Sequence, residues 1–165
     1  MKIAVVYFSS TGRTEAMAQL IKAGIAQAGE VEVGLFPIAD VTKDSEAAAW
    51  IESAAAVIVG TPDYYAAEAW QLKQWLDNCP VKLAGKLGGA YATANFLQGG
   101  ADVAIQSVLT QLLTKGMLVY SSGTALGLPF IHLGPVCLKG QEEAATELFE
   151  TFGKRFAEKA LELFA

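Results

Sequence analysis

Apolar residues fall into five short runs, and the stretches between them repeat at helical spacing. Residues 2–8, 31–36, 55–60, 87–92 and 117–121 each read as a buried strand bounded by turn residues. Met17, Leu20, Ile21, Gly24 and Ala28 then mark one face of a first helix. Leu72, Trp75 and Leu76 mark a second such face, and Ile105, Val108, Leu109 and Leu112 a third. Leu148, Phe152, Phe156 and Ala160 do the same for the last helix, while a helix over about 45–53 is the most weakly patterned. Strand–helix alternation of this kind predicts one α/β domain over 1–165, with a parallel sheet, right-handed crossovers and helices on both faces. No internal repeat, linker or low-complexity segment interrupts it.

Composition strengthens that picture. A chain of 165 residues buries about 70% of its unfolded surface. Apolar residues make up 53% of it and charged ones 18%, a balance suited to strands covered on both faces. A net charge of −5 and the lack of a basic patch argue against nucleic acid. Mild acidity suits a basic redox partner and is equally ordinary for solubility. Cys79 and Cys137 form neither a Cys-x-x-Cys nor a zinc spacing. Neither opens a Cys-x₅-Arg loop, because Gly85 and Glu143 stand six residues on, so they read as free thiols in a reducing cytosol. Only six apolar residues follow Lys2, too few for a signal peptide. Residues 116–138 lack charge, yet Ser121, Ser122, Pro129, His132 and Pro135 read as strand and loop rather than a membrane span. The expectation is a soluble, cytoplasmic protein.

In a parallel sheet the ligand lies beyond the carboxyl ends of the strands, where strand order reverses. After the first strand comes Ser9-Ser10-Thr11-Gly12-Arg13-Thr14, immediately before a helix. The first N–H groups of a helix lack intrahelical acceptors and sit at the positive end of its dipole, so a phosphate fits there, with hydroxyls as further donors. The loop has neither Gly-x-Gly-x-x-Gly nor a Gly-Lys-Ser/Thr ending, and Arg13 is its only cation. It suits a terminal monoester better than a triphosphate–metal complex; an ordinary capped helix is the competing reading.

After strands three and four come Gly60-Thr61-Pro62-Asp63-Tyr64-Tyr65 and Thr93-Ala94-Asn95-Phe96-Leu97-Gln98-Gly99-Gly100, and after strand five the uncharged stretch 121–136. Aromatic rings, amides and glycines suit a flat, hydrogen-bonding ring system. No nucleophile–base pair and no metal-ligand cluster occurs among them.

Over nearly its whole length the chain resembles the flavodoxin-like FMN proteins. Ser9 to Thr14 is similar to their phosphate signature, and Gly60-Thr61-Pro62 with Tyr64 and Tyr65 to their second flavin loop, followed by a helix containing Trp75-Leu76-Asp77. The third loop, with Gln98-Gly99-Gly100-Ala101-Asp102, and Leu126-Gly127-Leu128-Pro129-Phe130 are nearest the tryptophan-repressor-binding-protein type of NAD(P)H:quinone oxidoreductase. The Gly-Asp and later Tyr usual in shuttle flavodoxins are absent from the third loop. Departures from the quinone reductases are Phe96 and Leu97 in place of small residues, Lys115 in place of His, and a short excursion over about 38–46. These bear on the nicotinamide pocket and oligomeric assembly more than on the flavin site.

The resemblance implies a flavodoxin-like three-layer sandwich, its five-stranded parallel sheet ordered 2-1-3-4-5. It implies FMN held by Ser9, Ser10, Thr11, Gly12, Arg13 and Thr14, by Pro62, Asp63, Tyr64 and Tyr65, and by Thr93 through Gly100. Electrons would pass from NAD(P)H through FMN to a quinone-type acceptor, in a homo-oligomer and with no metal. The alternative is a one-electron carrier serving a redox protein partner. Tyr64 and Tyr65 are candidates to cover the flavin ring; Asp63 reads first as a turn former. Phe96 is either a wall of the site or a core plug. His132, the only histidine, is a candidate proton donor to a quinone, against a structural role. Trp50, Trp70 and Trp75 read as core or interface, and Glu142, Glu143, Glu147 and Glu150 as a solvated face at the start of the last helix.

Overall fold

A computed structural model describes residues 1–165. Its elements are β1 (Lys2–Tyr7), α1 (Arg13–Ile25), β2 (Glu32–Pro37), a 3₁₀ turn (Ile38–Asp40), α2 (Glu46–Ser53), β3 (Ala56–Pro62) and α3 (Trp70–Asn78). Then follow β4 (Leu87–Ala94), α4 (Ala101–Thr114), β5 (Leu118–Val119), β6 (Val136–Leu138) and α5 (Thr146–Phe164). All pairings within the sheet are parallel, in the order β2-β1-β3-β4-β5. The expected 2-1-3-4-5 sheet is therefore present.

Strand periodicity explains the layers. Ala4 and Val6 of β1 join one core with side chains of α2, α3 and α4, whereas Ile3, Val5 and Tyr7 join the other with α1 and α5. Because both faces are covered, the strands are continuously apolar rather than alternating. Helices α1 and α5 cross closely at two glycines: a Cβ on Gly24 would lie 1.9 Å from the Glu150 carbonyl oxygen, and one on Gly153 2.2 Å from that of Ile21.

The fifth strand differs from expectation. It stops after two residues, leaves the sheet, and resumes as β6, which pairs with the carboxyl half of β4 through Ala92↔Val136 and Ala94↔Leu138. Arg155 of α5 holds the excursion, donating to the carbonyls of Leu126, Gly127, Leu128 and Pro129 and to Ser122 Oγ at 3.0–3.4 Å. One side chain thus satisfies backbone that has no ladder partner.

No helix is long and apolar enough to cross a membrane.

Candidate functional site

β1, β3 and β4 deliver three loops to the same rim of the sheet. Phe8 donates its N–H to the Gly60 carbonyl (3.1 Å), and Asp63 its N–H to the Thr93 carbonyl (2.7 Å), so neighbouring loops start in register.

Gly12 is the N-cap of α1 at φ 88°, a left-handed conformation, and a Cβ there would meet no atom within 4 Å. Glycine is needed for its backbone, not for space. Ser9 Oγ accepts from the N–H groups of Gly12 (3.1 Å) and Glu15 (3.3 Å), which caps the helix from outside. The N–H groups of Ser10, Thr11, Arg13 and Thr14 find no acceptor in the protein. Four unpartnered amides beside the exposed hydroxyls of Ser10 and Thr11, at the positive end of a helix, make a donor set that fits a phosphate monoester.

Two residues of the loop are otherwise engaged. Thr14 is buried, its hydroxyl sharing a 2.9 Å hydrogen bond with that of Thr93, also buried, beneath the loop. Arg13 donates through Nε to Glu142 Oε1 (2.8 Å) and through a terminal nitrogen to Asn95 Oδ1 (3.2 Å). The lone cation of the loop therefore ties the first loop to the third and to the turn before α5. Glu142 and Glu143 precede α5 rather than lying on its face. Glu142 was missed as a site residue because its partner stands 129 positions earlier. Its carboxyl is held below the usual range by its own backbone N–H first and then by Arg13.

The second loop is a miniature hairpin. Tyr64 and Ala67 exchange both backbone hydrogen bonds (2.9 and 3.2 Å), leaving Tyr65 and Ala66 as a two-residue turn at φ 55° and 63°. Asn-Gly is the favoured pair for such a turn, so a Tyr-Ala turn stores strain. Asp63 Oδ1 accepts from Ala66 N–H at 2.9 Å, the turn-forming role expected of it; burial pushes its carboxyl up. Tyr64 packs edge-on against Phe8 with ring centroids 6.4 Å apart, whereas Tyr65 at the tip is fully exposed, at 103% of the reference area. Glu68, buried, accepts from Gln111 Nε2 at 2.6 Å and fixes the hairpin base to α4.

The third loop packs along this hairpin. A Cβ on Gly99 would lie 2.5 Å from Asp63 Oδ2 and displace that carboxylate, whereas Gly100, at φ 93° and with a Cβ 2.7 Å from Ala66 Cα, is required by close approach. The N–H groups of Asn95, Phe96, Leu97 and Gln98 donate to nothing within the protein. Phe96 and Leu97 are exposed at 74% and 84%, which makes Phe96 a surface residue and not a core plug. Tyr65, Phe96 and Leu97 are thus exposed apolar side chains on two adjoining loops, and with the free amides these loops suit a flat ring bearing polar edges.

His132 is elsewhere. It lies in the excursion between β5 and β6, exposed, with β6 still to run before the chain reaches the rim. Lys139 and the Glu142 turn take the place at the rim that the stretch 121–136 was expected to occupy; Lys139 N–H donates to the Ala94 carbonyl at 2.9 Å. Trp75 is core, Trp50 half-buried and Trp70 exposed. Cys137 is buried, which pushes its thiol up, and Cys79 is half-buried; they are not joined.

A sequence model described as NADPH-dependent FMN reductase matches residues 1–127. A protein named flavodoxin from Clostridium saccharobutylicum is 41% identical over 165 residues, spanning 99% of this chain and 100% of its own. An NAD(P)H dehydrogenase (quinone) of Chromohalobacter salexigens is 28% identical over 150 residues, spanning 78% of this chain and 72% of its own. Among solved structures, a WrbA-like flavodoxin from Agrobacterium tumefaciens superposes with a TM-score of 0.79 at 24% identity, each chain covered to 98%.

Proposed function

The chain belongs to the flavodoxin-like FMN proteins, in the NADPH-dependent FMN reductase family, and from that membership we propose that it uses FMN to carry electrons from NAD(P)H to a quinone-type acceptor. The observation that carries this reading is the row of unpartnered amides at the start of α1, with two further loops packed beside it.

FMN, when bound, supplies the hydride and electron chemistry that no side chain here provides. The amides of Ser10, Thr11, Arg13 and Thr14 and the Ser10 and Thr11 hydroxyls anchor the phosphate end. Thr14 and Thr93 set the height of that loop from below, and Arg13 locks it to Asn95 and Glu142. The strained hairpin would present Tyr65 to the ring, and the free Asn95–Gln98 amides would be available to its polar edge. No general base is required of the protein, and His132 has no part in this arrangement.

A second reading, an electron carrier between redox proteins, is favoured by the 41% identical relative named flavodoxin. NAD(P)H consumption by the FMN-loaded protein, with and without a benzoquinone and above a free-FMN control, separates the two. Turnover needing both substrates supports the oxidoreductase; FMN binding without NAD(P)H oxidation leaves the carrier. Thr11→Ala tests the phosphate loop itself: its hydroxyl is exposed, so FMN affinity falls about tenfold while the fold is retained. Unchanged affinity would move the phosphate elsewhere.

A further inference from the structure

A groove of about 710 Å³ opens between the segment after β2 and helix α3, bordered by Phe8. Its volume is within the range of small-molecule sites. One wall is the helical face Gln71, Gln74, Trp75 and Asn78; the other includes Ile38 and Val41. Trp75 is fixed there, its indole N–H donating to the Val41 carbonyl at 3.0 Å, so the aromatic wall is preformed. Lys43 is the only charged residue of the lining.

The chemical signal is Gln71. Its Oε1 is buried and has no hydrogen-bond partner, the only such side-chain atom in the protein. Gln71 lines the groove, so a turn of its side chain lets a partner there make the hydrogen bond that the fold leaves unmade. A glutamine amide offers an oxygen acceptor or, turned over, two N–H donors. It therefore serves a ring hydroxyl and a ring carbonyl equally.

We propose that this groove is a second ligand site, taking a small uncharged aromatic molecule that carries a ring hydroxyl or carbonyl, with its oxygen on the Gln71 amide. The groove and the orphaned atom stand apart from the flavin chemistry; naming quinones and their reduced forms as occupants rests on the proposed function.

The test is calorimetric titration of the FMN-loaded protein, without NAD(P)H, using 2-naphthol, naphthalene, and 2,3-dimethyl-1,4-naphthoquinone, whose blocked ring positions cannot alkylate Cys79. The two oxygenated probes are expected to bind one-to-one, about tenfold more tightly than naphthalene, and to leave the visible flavin absorption unmoved. Gln71→Leu should abolish that preference without lowering Tm, since it removes an unpaired buried atom. Ala39→Trp, at the exposed rim, should block all three probes. Absence of saturable binding, equal affinity for naphthalene, or binding that survives both variants would overturn the proposal, as would a perturbed flavin band. The same titration on flavin-free protein should give the same affinities, so failure of the flavin reading and failure of this one are separable.

Discussion

Tyr91 occupies the space that a side chain on Gly60 would need. The two residues are register partners on β3 and β4, and a Cβ on Gly60 would lie 2.1 Å from Tyr91 Cζ. The fully buried phenol passes over Gly60 and donates to the Thr14 carbonyl at 2.9 Å, linking the centre of the sheet to the first turn of α1. Burial pushes that phenol well above its ordinary range, which favours the protonated, donating form.

Gly60→Ala should therefore destabilise by about 1–3 kcal/mol through overpacking and also weaken FMN, because Tyr91 can move only by releasing the phosphate loop. Tyr91→Phe removes the hydrogen bond alone and should cost about 1 kcal/mol. Urea unfolding with a parallel FMN titration distinguishes them. A Gly60→Ala protein of unchanged stability would show that the packing is softer than it looks.

The buried hydroxyl pair predicts non-additivity. Thr14→Val strands the Thr93 hydroxyl and should cost about 1–3 kcal/mol, yet Thr14→Val with Thr93→Val should cost less than that single change, since no polar group is left unpaired. Chemical denaturation of the four proteins of the cycle gives the answer, and strictly additive losses would refute the pairing.

The hairpin turn separates stability from binding. Ala66→Gly relieves a left-handed alanine and should stabilise the flavin-free protein by about 0.5–1 kcal/mol. Tyr65→Ala touches nothing in the protein, so its stability should stay within about 0.5 kcal/mol while FMN affinity falls about threefold or more. Thermal unfolding and flavin titration measure the two effects.

Asp63 carries a pH signature. Its carboxyl is raised by burial, so between the unfolded and folded values the folded chain holds a proton that the unfolded chain has released, and above that window the charge costs stability. Asparagine keeps the acceptor for Ala66 N–H and removes the charge. Asp63→Asn should raise Tm at neutral pH, with the gain shrinking to nothing as the pH falls below about 3.5. A gain independent of pH would point to a cause other than ionisation.

The layered fold was legible in the chain itself. Buried strands such as Ile3–Tyr7 and helix stripes such as Ile105, Val108, Leu109 and Leu112 are local periodicities, and period plus alternation is enough to imply a doubly covered parallel sheet. The hydroxyl-rich loop before α1 was legible for the same reason, since its donors come from consecutive residues whose backbone is set by Gly12.

What only the tertiary structure decided are relations between residues far apart in sequence. Glu142 reaches Arg13, Thr93 takes the Thr14 hydroxyl, and Gly99 makes room for Asp63; none leaves a mark in any single segment. The same holds for the split fifth strand: residues 118–119 and 136–138 pair with different halves of β4, so the chain between them is displaced to the sheet edge and His132 with it. Short-range pattern fixes which residues form strands and helices, because it depends on local geometry and burial. Which side chains meet at the rim depends on register and loop length, and these are set only once the sheet has closed its pairs.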